Sequence, residues 1–522
     1  MIIHKPVAVL PLWAAAITAL AAGPILDAGF PDKGVWPITF LGIALVLIAA
    51  RGRNVGGALL IGFLAGAAFY FTHIQWASLF LGPVPMSALS ILEALFFAVG
   101  TLAITLAYRW LPRVFGPGWG STIGLAIVVA GLWTAREAWA SVWPYGGFAW
   151  GRVAQSQSES PLAELFSWLG ISGVSFVMVL VVALSLAAIE YSWLHYRELP
   201  LDERSQHVSR ALRTAFVPVA VFTLLVNVPT WSVVTEGSLR VGAVQGNGKA
   251  GYFDKRERGD LLDAQLKATQ PLYGEDLDLV VWPEGGTDVS PLNNTYAASA
   301  FDYVTEQAGA PLISGDITER DGNIYNSQIF WKPGDGVVDI YDKRHPIPFG
   351  EYVPNRDFWA QFAPDLIGLI ARDYTIGATD MVFDVNDVIV GVNICFDIVD
   401  DQILTESVEQ GAQVIIASSN NADFGRTDES AQQLATARIR ALELGRSVVN
   451  ISTVGLSAII APDGSTIAEL PWYTAAAMIE DVPLSSTITP AVLWGRELEW
   501  LVSGIGLGAL IVAALAGRRN NA

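Results

Sequence analysis

The single cysteine of the chain, Cys395, stands at the end of a nearly continuous apolar stretch, Val388–Ile394. Such a stretch predicts a buried β-strand, and ligand sites in α/β folds favour the carboxyl ends of strands. A thiolate there could attack an electrophilic carbonyl carbon. A lone cysteine is equally often a small core residue, so the catalytic interpretation needs partners of suitable chemistry.

Two other stretches carry groups that could activate such a thiol. Pro283 and Glu284 directly follow a second apolar strand, and the proline favours a rigid strand end that suits a general base. Lys343 begins a loop, residues 343–354, that contains three prolines and Glu351. A lysine held against carboxylates could stabilise negative charge near a nucleophile. Each stretch alone also fits an ordinary structure, a strand exit or a solvated loop.

The composition of the chain points to a membrane protein. Of its 522 residues, 52% are hydrophobic and only 16% are charged, and the mean hydropathy is +0.42. Apolar runs of about 20 residues match the hydrocarbon thickness of a bilayer and predict membrane-spanning helices. The net charge of -19 argues against nucleic acid as a partner, because phosphate binding requires a basic surface.

The apolar runs predict about seven spans before residue 235 and an eighth near the C-terminus. Basic residues are concentrated at the N-terminus, in alternate connections and after the last span, so the positive-inside rule places these positions in the cytoplasm. Both termini are then cytoplasmic, and the long segment between the last two spans lies outside. The predicted spans are near 7–26, 36–50, 55–73, 87–110, 121–141, 163–191, 212–231 and 499–516.

The sequence divides into a membrane domain at 1–235, an outer domain at 236–490, and a closing segment at 491–522 with the last span and a short cytoplasmic tail. In the outer domain, short apolar runs alternate with helical stretches, and about 250 residues can bury a full α/β core. Buried strands are predicted at 239–244, 277–282, 311–314 and 388–394, and a long helix at 427–446.

The order of the chemical groups resembles the nitrilase superfamily: a glutamate after a strand, then a lysine, then a cysteine after a strand. The loop at 343–354 is more specific and is similar to the lysine loop of apolipoprotein N-acyltransferases. The several spans before the outer domain and the single span after it also match the layout of that family. The resemblance covers essentially the whole chain, although its specific motifs lie in the outer domain.

The resemblance implies an α-helical multi-span membrane domain plus an α/β nitrilase-like domain, built as an αββα sandwich. Glu284 matches the general base of the family, Lys343 its lysine and Cys395 its nucleophile. Glu351 matches a second glutamate in the lysine loop. Further matches are the motif that opens the catalytic domain, Val244–Asn247, and a helix near the active site, Arg440–Arg446.

Four residues depart from the pattern of the family. Phe396 replaces a common tyrosine, which removes a hydroxyl, and Asp397 replaces a common glutamate, which shortens a carboxylate that could support the site. In the loop that follows residue 419, Asn421 stands for an aspartate and Asp423 for a tryptophan. Because Asp423 replaces a tryptophan, the family pattern does not predict how this loop contacts lipid. Glu284, Lys343 and Cys395 match the family.

The resemblance implies acyl transfer in two steps, without a metal or another cofactor. Cys395 would accept a fatty acyl chain from a phospholipid, and the α-amino group of a diacylglyceryl-cysteine lipoprotein would then attack the thioester. Lys343 and the backbone N–H of Phe396 are the candidate donors to the oxyanion. We expect a monomer in the bacterial plasma (inner) membrane, with its catalytic domain on the extracytoplasmic face.

Aromatic residues are concentrated at the predicted outer end of the fifth span and in the connection after it, within Ala138–Arg152. Trp and Tyr prefer the membrane interface, so these side chains could simply anchor the domain. Alternatively they could help to receive acyl chains. The candidate substrate-binding residues are Trp143, Tyr145, Phe148 and Trp150 in this segment, and Phe424 in the outer domain.

Two other functions remain open on the residues alone. A membrane-tethered amidase or hydrolase of the nitrilase superfamily would use the same three groups, although many spans favour lipid substrates over a simple tether. A transporter or receptor with an outer binding domain would need charges inside the spans. Such charges are few, for example Glu93 and Glu137.

Overall fold

The structure, a computed structural model, describes residues 8–115, 119–198, 216 and 218–519. The described residues form two compact units. The first unit takes its residues from Met1–Gln75, Met86–Thr230 and Trp494–Ala522, and the second from Trp76–Pro85 and Trp231–Leu493.

Long apolar helices build the first unit. They are α1 (Leu12–Asp27), α2 (Pro37–Ala50), α3 (Val55–His73), α5 (Pro83–Phe115), α6 (Trp119–Ala140), α7 (Phe166–Glu198) and α14 (Pro490–Arg519), whereas the short α4 (Ser78–Leu81) belongs to the second unit. Residues 218–225 are also helical. Helices that are apolar on nearly every face are typical of membrane spans or of buried helices.

Five helices among the described residues are long and apolar enough to cross a membrane: Val55–His73, Pro83–Val114, Gly120–Ala140, Ala163–Glu190 and Pro490–Ala516. They coincide with five of the eight predicted spans. α1 and α2 are apolar helices of 16 and 14 residues, which at about 1.5 Å per residue are shorter than a ~30 Å hydrocarbon core. The predicted span at 212–231 lies partly outside the described residues.

A buried carboxylate holds the connection that follows α6. Glu137 Oε1 accepts hydrogen bonds from Trp133 Nε1 (2.8 Å), Arg136 Nη2 (3.1 Å) and the backbone N–H of Val153 (3.2 Å). A buried charge is tolerated when it is paired and hydrogen-bonded in this way. The aromatic segment at 138–152 is therefore fixed to α6 at its far end.

Two six-stranded sheets form the core of the second unit, with strand orders β12-β1-β2-β3-β4-β5 and β11-β10-β9-β8-β7-β6. The strands are β1 (Ser238–Gln245), β2 (Leu279–Val281), β3 (Leu312–Arg320), β4 (Asn323–Lys332), β5 (Gly336–Asp342), β6 (Val382–Val385), β7 (Val388–Ile394), β8 (Val414–Ser419), β9 (Ser447–Ser452), β10 (Ser457–Ile460), β11 (Thr466–Leu470) and β12 (Ala476–Pro483). The central strands β1-β2-β3 and β7-β8-β9 are parallel. Strands buried on both faces have continuous apolar runs, which explains why several could be predicted.

The two sheets pack against each other, with helices on their outer faces. Phe330 of β4 stacks on Phe383 of β6 with ring centroids 5.3 Å apart, and Phe301 packs on Trp282 from the helical side. The helices are α8 (Asp260–Thr269), α9 (Thr295–Ala308), α10 (Arg356–Trp359), α11 (Pro364–Leu369), α12 (Asp401–Glu409) and α13 (Asp428–Leu444). α8 and α9 contact the first sheet, and α12 and α13 the second. The predicted αββα sandwich is confirmed.

The segment Trp76–Pro85 packs within the second unit although it lies between helices of the first unit in the sequence. Trp76 Nε1 donates to Gln432 Oε1 (3.2 Å), and its ring lies edge-on to Phe424, with centroids 4.9 Å apart. Phe80 packs against Tyr252 at 5.7 Å. Its polar and aromatic contacts make this segment part of the catalytic unit, which the sequence did not indicate.

Arg440 of α13 fixes that helix to the turn that follows β7. Its buried guanidinium donates to the carbonyl oxygens of Ile398 and Val399, both at 2.9 Å. It also forms ion pairs with Asp401 (2.7 Å) and with Glu443. One side chain therefore satisfies two buried carbonyl groups and connects two helices to the turn.

Replacing Arg440 with methionine should strongly destabilise the second unit, because the substitution removes the guanidinium that pairs with Glu443 and donates to two carbonyl oxygens. Loss of one partner of a buried pair costs about 3–5 kcal/mol. The measurement is thermal unfolding followed by maleimide-dye labelling of Cys395, the single cysteine. Arg438→Met is the control on the same helix, where a partly exposed arginine should cost far less. Equal losses would contradict the role given to Arg440.

Candidate active site

Cys395 occupies a strained backbone position at the end of β7. Its φ of 51° lies in the left-handed region, which costs a non-glycine residue roughly 1–2 kcal/mol. The residue begins a short 3₁₀ helix, Cys395–Val399, and its side chain is partly accessible. The chain therefore changes from strand to helix at Cys395, directly after the strand that the apolar run predicted.

Glu284 follows β2, at the carboxyl end of the first sheet. Its carboxylate is buried, and it interacts electrostatically with the thiol of Cys395. The hydroxyl of Thr453 donates to the backbone carbonyl of Glu284 at 2.8 Å, which fixes the turn. The structure therefore brings together the predicted base and the predicted nucleophile, 111 residues apart in the sequence.

The side chain of Lys343 is almost completely buried, with 1% of its surface exposed, and it lies among carboxylates. Its Nζ lies 2.8 Å from Glu351 Oε2 and 3.7 Å from Glu284 Oε1. Glu351 is fixed in turn, because its Oε2 accepts the backbone N–H of Ile347 at 2.8 Å. The second glutamate of the lysine loop therefore contacts the lysine directly.

Asn326 of β4 joins the two carboxylates and was not identified from the sequence. Its Nδ2 donates to Glu284 Oε1 at 2.7 Å and to Glu351 Oε1 at 2.9 Å. Its backbone carbonyl accepts the N–H of Lys343 at 2.8 Å. Asn326 lies among other polar residues of β4, so the strand gave no sequence signal for it. Its burial, which requires hydrogen-bond partners for the amide, is seen only in the structure.

Burial and neighbouring charges set the protonation states of the site. Burial raises the pKa of Glu284, and the charge of Lys343 offsets only part of that rise. Burial and the charge of Glu284 together raise the pKa of the Cys395 thiol. Burial lowers the pKa of Lys343, but Glu351 and Glu284 outweigh it and raise that pKa above its usual value. Lys343 is therefore a cation at neutral pH, and Cys395 is a thiol at rest.

Asp397 connects the nucleophile turn to the lysine loop. Its Oδ2 accepts hydrogen bonds from the Tyr341 hydroxyl (2.8 Å) and the Ile394 N–H (3.1 Å), and its Oδ1 accepts the N–H of His345 (3.0 Å). The shorter carboxylate is thus fully used. Phe396, the neighbouring departure from the family pattern, packs edge-on to the ring of His345, with centroids 5.2 Å apart.

The two departures in the loop after β8 also have defined partners. Asp423 Oδ1 accepts the backbone N–H of Tyr252 at 2.7 Å, so the carboxylate holds a neighbouring loop where the family pattern has an indole. Asn421 lies in a buried hydrogen-bonded cluster with Glu429 and Gln433. These side chains shape the loop that carries Phe424.

The four aromatic candidates before α7 belong to the first unit, and Phe424 belongs to the second. Trp143 is 53% exposed and stacks on Trp139, with centroids 5.7 Å apart. Tyr145 is also exposed, whereas Trp150 is 4% exposed and packs against Phe148. The exposed side chains of Trp143 and Tyr145 are accessible to lipid, whereas Trp150 is a buried packing residue.

Comparison with known proteins matches both parts of the chain. Residues 22–184 match the family model of the apolipoprotein N-acyltransferase N-terminal domain, and residues 240–489 that of carbon-nitrogen hydrolases. An apolipoprotein N-acyltransferase from Mycolicibacterium smegmatis is 31% identical, over 96% of this chain and 85% of that protein. One from Azotobacter vinelandii is 28% identical, over 98% and 97%. The crystal structure of an amidase from Nesterenkonia sp. is 16% identical with a TM-score of 0.37, over 48% of this chain and 93% of that one.

The apolar helices and the carbon-nitrogen hydrolase domain define a membrane-bound enzyme of the nitrilase superfamily. The chain belongs to the apolipoprotein N-acyltransferase family. The predicted resemblance is confirmed, and the enzyme is an N-acyltransferase. Membership in this family decides against the transporter or receptor hypothesis.

Replacing Asn326 with aspartate should reduce catalysis about 100-fold or more. The new carboxylate would remove the donor shared by Glu284 and Glu351 and add a like charge beside both. The pKa of Glu284 would then rise so far that the group is protonated at neutral pH and cannot accept a proton. The measurements are the turnover number and the rate at which iodoacetamide alkylates Cys395. Asn323→Asp at the exposed start of β4 is the control and should leave both rates unchanged. Wild-type rates in Asn326→Asp would contradict the bridging role.

Proposed function

We propose that the enzyme transfers a fatty acyl chain from a phospholipid to the α-amino group of a diacylglyceryl-cysteine lipoprotein, through a thioester on Cys395. The observation that carries the proposal is the buried carboxylate of Glu284, which interacts electrostatically with the Cys395 thiol and lies 3.7 Å from the buried ammonium of Lys343. The names of the relatives support the donor and acceptor classes.

In the first half-reaction Glu284 acts as the general base. The thiol proton moves to Glu284 as the sulfur attacks the ester carbonyl carbon of the phospholipid. Because the pKa of Glu284 is raised, its carboxylate is a stronger base than an exposed one. Glu284 then returns the proton to the departing oxygen of the lysophospholipid, and the acyl chain stays on Cys395 as a thioester.

The tetrahedral intermediate needs donors for its oxyanion. Lys343 stays charged because carboxylates surround it, and Glu351 holds its Nζ in a fixed position. The backbone N–H of Phe396 is the second candidate donor, because it directly follows the nucleophile at the start of the 3₁₀ helix. Removing one such donor typically costs about 3 kcal/mol of transition-state stabilisation.

In the second half-reaction the amine of the lipoprotein attacks the thioester. Glu284, again a carboxylate, accepts a proton from the attacking nitrogen and delivers it to the sulfur as the carbon–sulfur bond breaks. A carbon–nitrogen bond replaces the thioester, and the thiol of Cys395 is regenerated. The two half-reactions together form a ping-pong mechanism, in which the carboxylate of Glu284 transfers the proton in each.

The distribution of basic residues supports an orientation for this chemistry. The catalytic domain, residues 236–490, lies on the extracytoplasmic face of the bacterial plasma membrane, and the helices of residues 1–235 and 491–522 anchor it there. Both termini lie in the cytoplasm, and the enzyme acts as a monomer. In this orientation two lipid-anchored substrates reach one site without leaving the membrane.

The central test is intact-protein mass spectrometry of the purified full-length enzyme after incubation with phospholipid vesicles. A fatty-acyl mass increment is expected on the wild type and not on Cys395→Ala, because the thiol carries the acyl group. Glu284→Gln should load far more slowly than the wild type, because it lacks the base. A diacylated lipopeptide should discharge the increment. Discharge by water alone would indicate a hydrolase, and no increment with any phospholipid would overturn the proposal.

Replacing both Trp143 and Tyr145 with alanine should raise the apparent KM for phospholipid several-fold, because these exposed rings favour a lipid interface. The value of kcat should not change, because both residues lie far from the proposed catalytic groups in the sequence. The measurement is steady-state kinetics in mixed micelles. Trp13→Ala is the matched control, since Trp13 is 70% exposed in α1. An equal effect of both variants, or a change in kcat alone, would contradict lipid reception by this segment.

A further inference from the structure

A second buried polar cluster surrounds Asn421. Its Nδ2 donates to Glu429 Oε2 at 2.8 Å and to Gln433 Oε1 at 2.6 Å. Its Oδ1 accepts hydrogen bonds from Ser452 Oγ at 2.5 Å and Ser419 Oγ at 3.3 Å. All five residues are buried. A neutral amide satisfies both sides of this cluster, because it combines donors and an acceptor in one group.

The cluster is connected to the backbone of the catalytic base. Thr453, next to Ser452, donates its hydroxyl to the carbonyl oxygen of Glu284 at 2.8 Å and its N–H to the carbonyl oxygen of Ser419 at 3.1 Å. Glu429 also acts electrostatically on both Glu284 and Cys395. A substitution at Asn421 or Glu429 would therefore affect proton transfer between Cys395 and Glu284.

The main chain packs tightly around the amide of Asn421. A Cβ at Gly455 would lie 2.2 Å from Asn421 Oδ1 and 2.6 Å from Ser430 Oγ, so only glycine permits this approach. The N–H of Gly455 donates to Ser452 Oγ at 2.9 Å. The cluster has no space in which a mismatched side chain could turn away.

Glu429 lies in this cluster without a cation. Among the residues that the structure describes, no lysine or arginine forms an ion pair with it, and the amide of Asn421 is its hydrogen-bond donor. Burial raises its pKa to about 8, and the charge of Glu284 adds to this, although the hydrogen bond from Asn421 opposes it. A buried carboxyl group of this kind depends on the donor that faces it.

We propose that Asn421 and Glu429 form a positioning pair that holds the backbone of Glu284 in place for proton transfer with Cys395. The inference rests on the proposed function, in which Glu284 is the base. Neither member touches the reacting atoms, so both act through Ser419, Ser452 and Thr453. The pairing uses the amide N–H of Asn421 as the donor and the carboxyl group of Glu429 as the acceptor. A second acid in place of the amide would leave two carboxyl groups that compete for one proton.

The test is a swap of the two functional groups. Asn421→Asp alone should lower kcat about tenfold or more with little change in KM, because it places two acids 2.8 Å apart and removes the donor to Gln433. Glu429→Gln alone should lower kcat less than Asn421→Asp does, because its amide oxygen still accepts from Asn421. The double variant Asn421→Asp, Glu429→Gln should recover to within about threefold, because the new amide donates to the new carboxylate.

The same four proteins are compared by alkylation of Cys395 with iodoacetamide, which needs no lipid substrate. Recovery of both kcat and alkylation in the double variant would support the pair, even if Asn421→Asp alone fails to fold. A double variant as impaired as Asn421→Asp, or worse, would overturn it. Failure of phospholipid to acylate the wild type would instead overturn the proposed function, and the alkylation rates would still decide on the pair.

Asn450 supplies a matched control for burying a new charge. It is a buried asparagine on β9 whose Nδ2 donates to the carbonyl oxygen of Leu456 at 3.1 Å. In the described part of the chain its side chain forms no hydrogen bond with Glu429. Asn450→Asp should impair the enzyme, and adding Glu429→Gln should not restore it. Restoration there would show a general effect of net charge and would contradict specific pairing.

Discussion

The buried ammonium of Lys343 imposes the constraint on which the site depends. An unpaired cation in a protein interior costs several kcal/mol, so Lys343 must have carboxylates around it. Glu351 and Glu284 supply them, and Asn326 links these two acids by donating to both. The same carboxylates then have fixed positions, which a catalytic base requires. The same contacts therefore neutralise Lys343 and fix the position of Glu284, the proposed base.

The first sheet sets the distances within this arrangement. β4 and β5 pair so that Ser327 lies opposite Asp342, which places Asn326 next to Lys343 at the end of the hairpin. Glu284 follows β2 at the same region of the sheet. The second sheet supplies Cys395 from the end of β7, and Asp397 connects its turn to the lysine loop. The packing of the two sheets therefore brings Glu284 of the first sheet close to Cys395 of the second.

Groups at the ends of apolar strands could be predicted from the sequence, because strand periodicity and strand-end sites are local signals. Cys395 and Glu284 belong to this class. Lys343 and Glu351 were predicted instead from the loop that contains them and from the resemblance to a family. Asn326 could not be predicted in its role, because the contact depends on strand pairing and on a carboxylate from a different strand. The same holds for Asn421 and Glu429, whose partners come from separate elements. The start of α1 at Leu12 also differs from the predicted span at 7–26, since hydropathy windows do not locate helix ends.

The catalytic unit is discontinuous in the chain, since Trp76–Pro85 supplies an aromatic side chain to the loop after β8 and a hydrogen bond to Gln432. During synthesis this segment emerges long before the strands that receive it. The second unit is thus completed only after α5, α6 and α7 have been synthesised. Its later part, Trp231–Leu493, then packs against Trp76, which was synthesised directly after α3. A fragment excised at residue 231 would lack the indole of Trp76 and expose the surface that it covers. For this fold, a domain boundary drawn on the sequence does not define an autonomous folding piece.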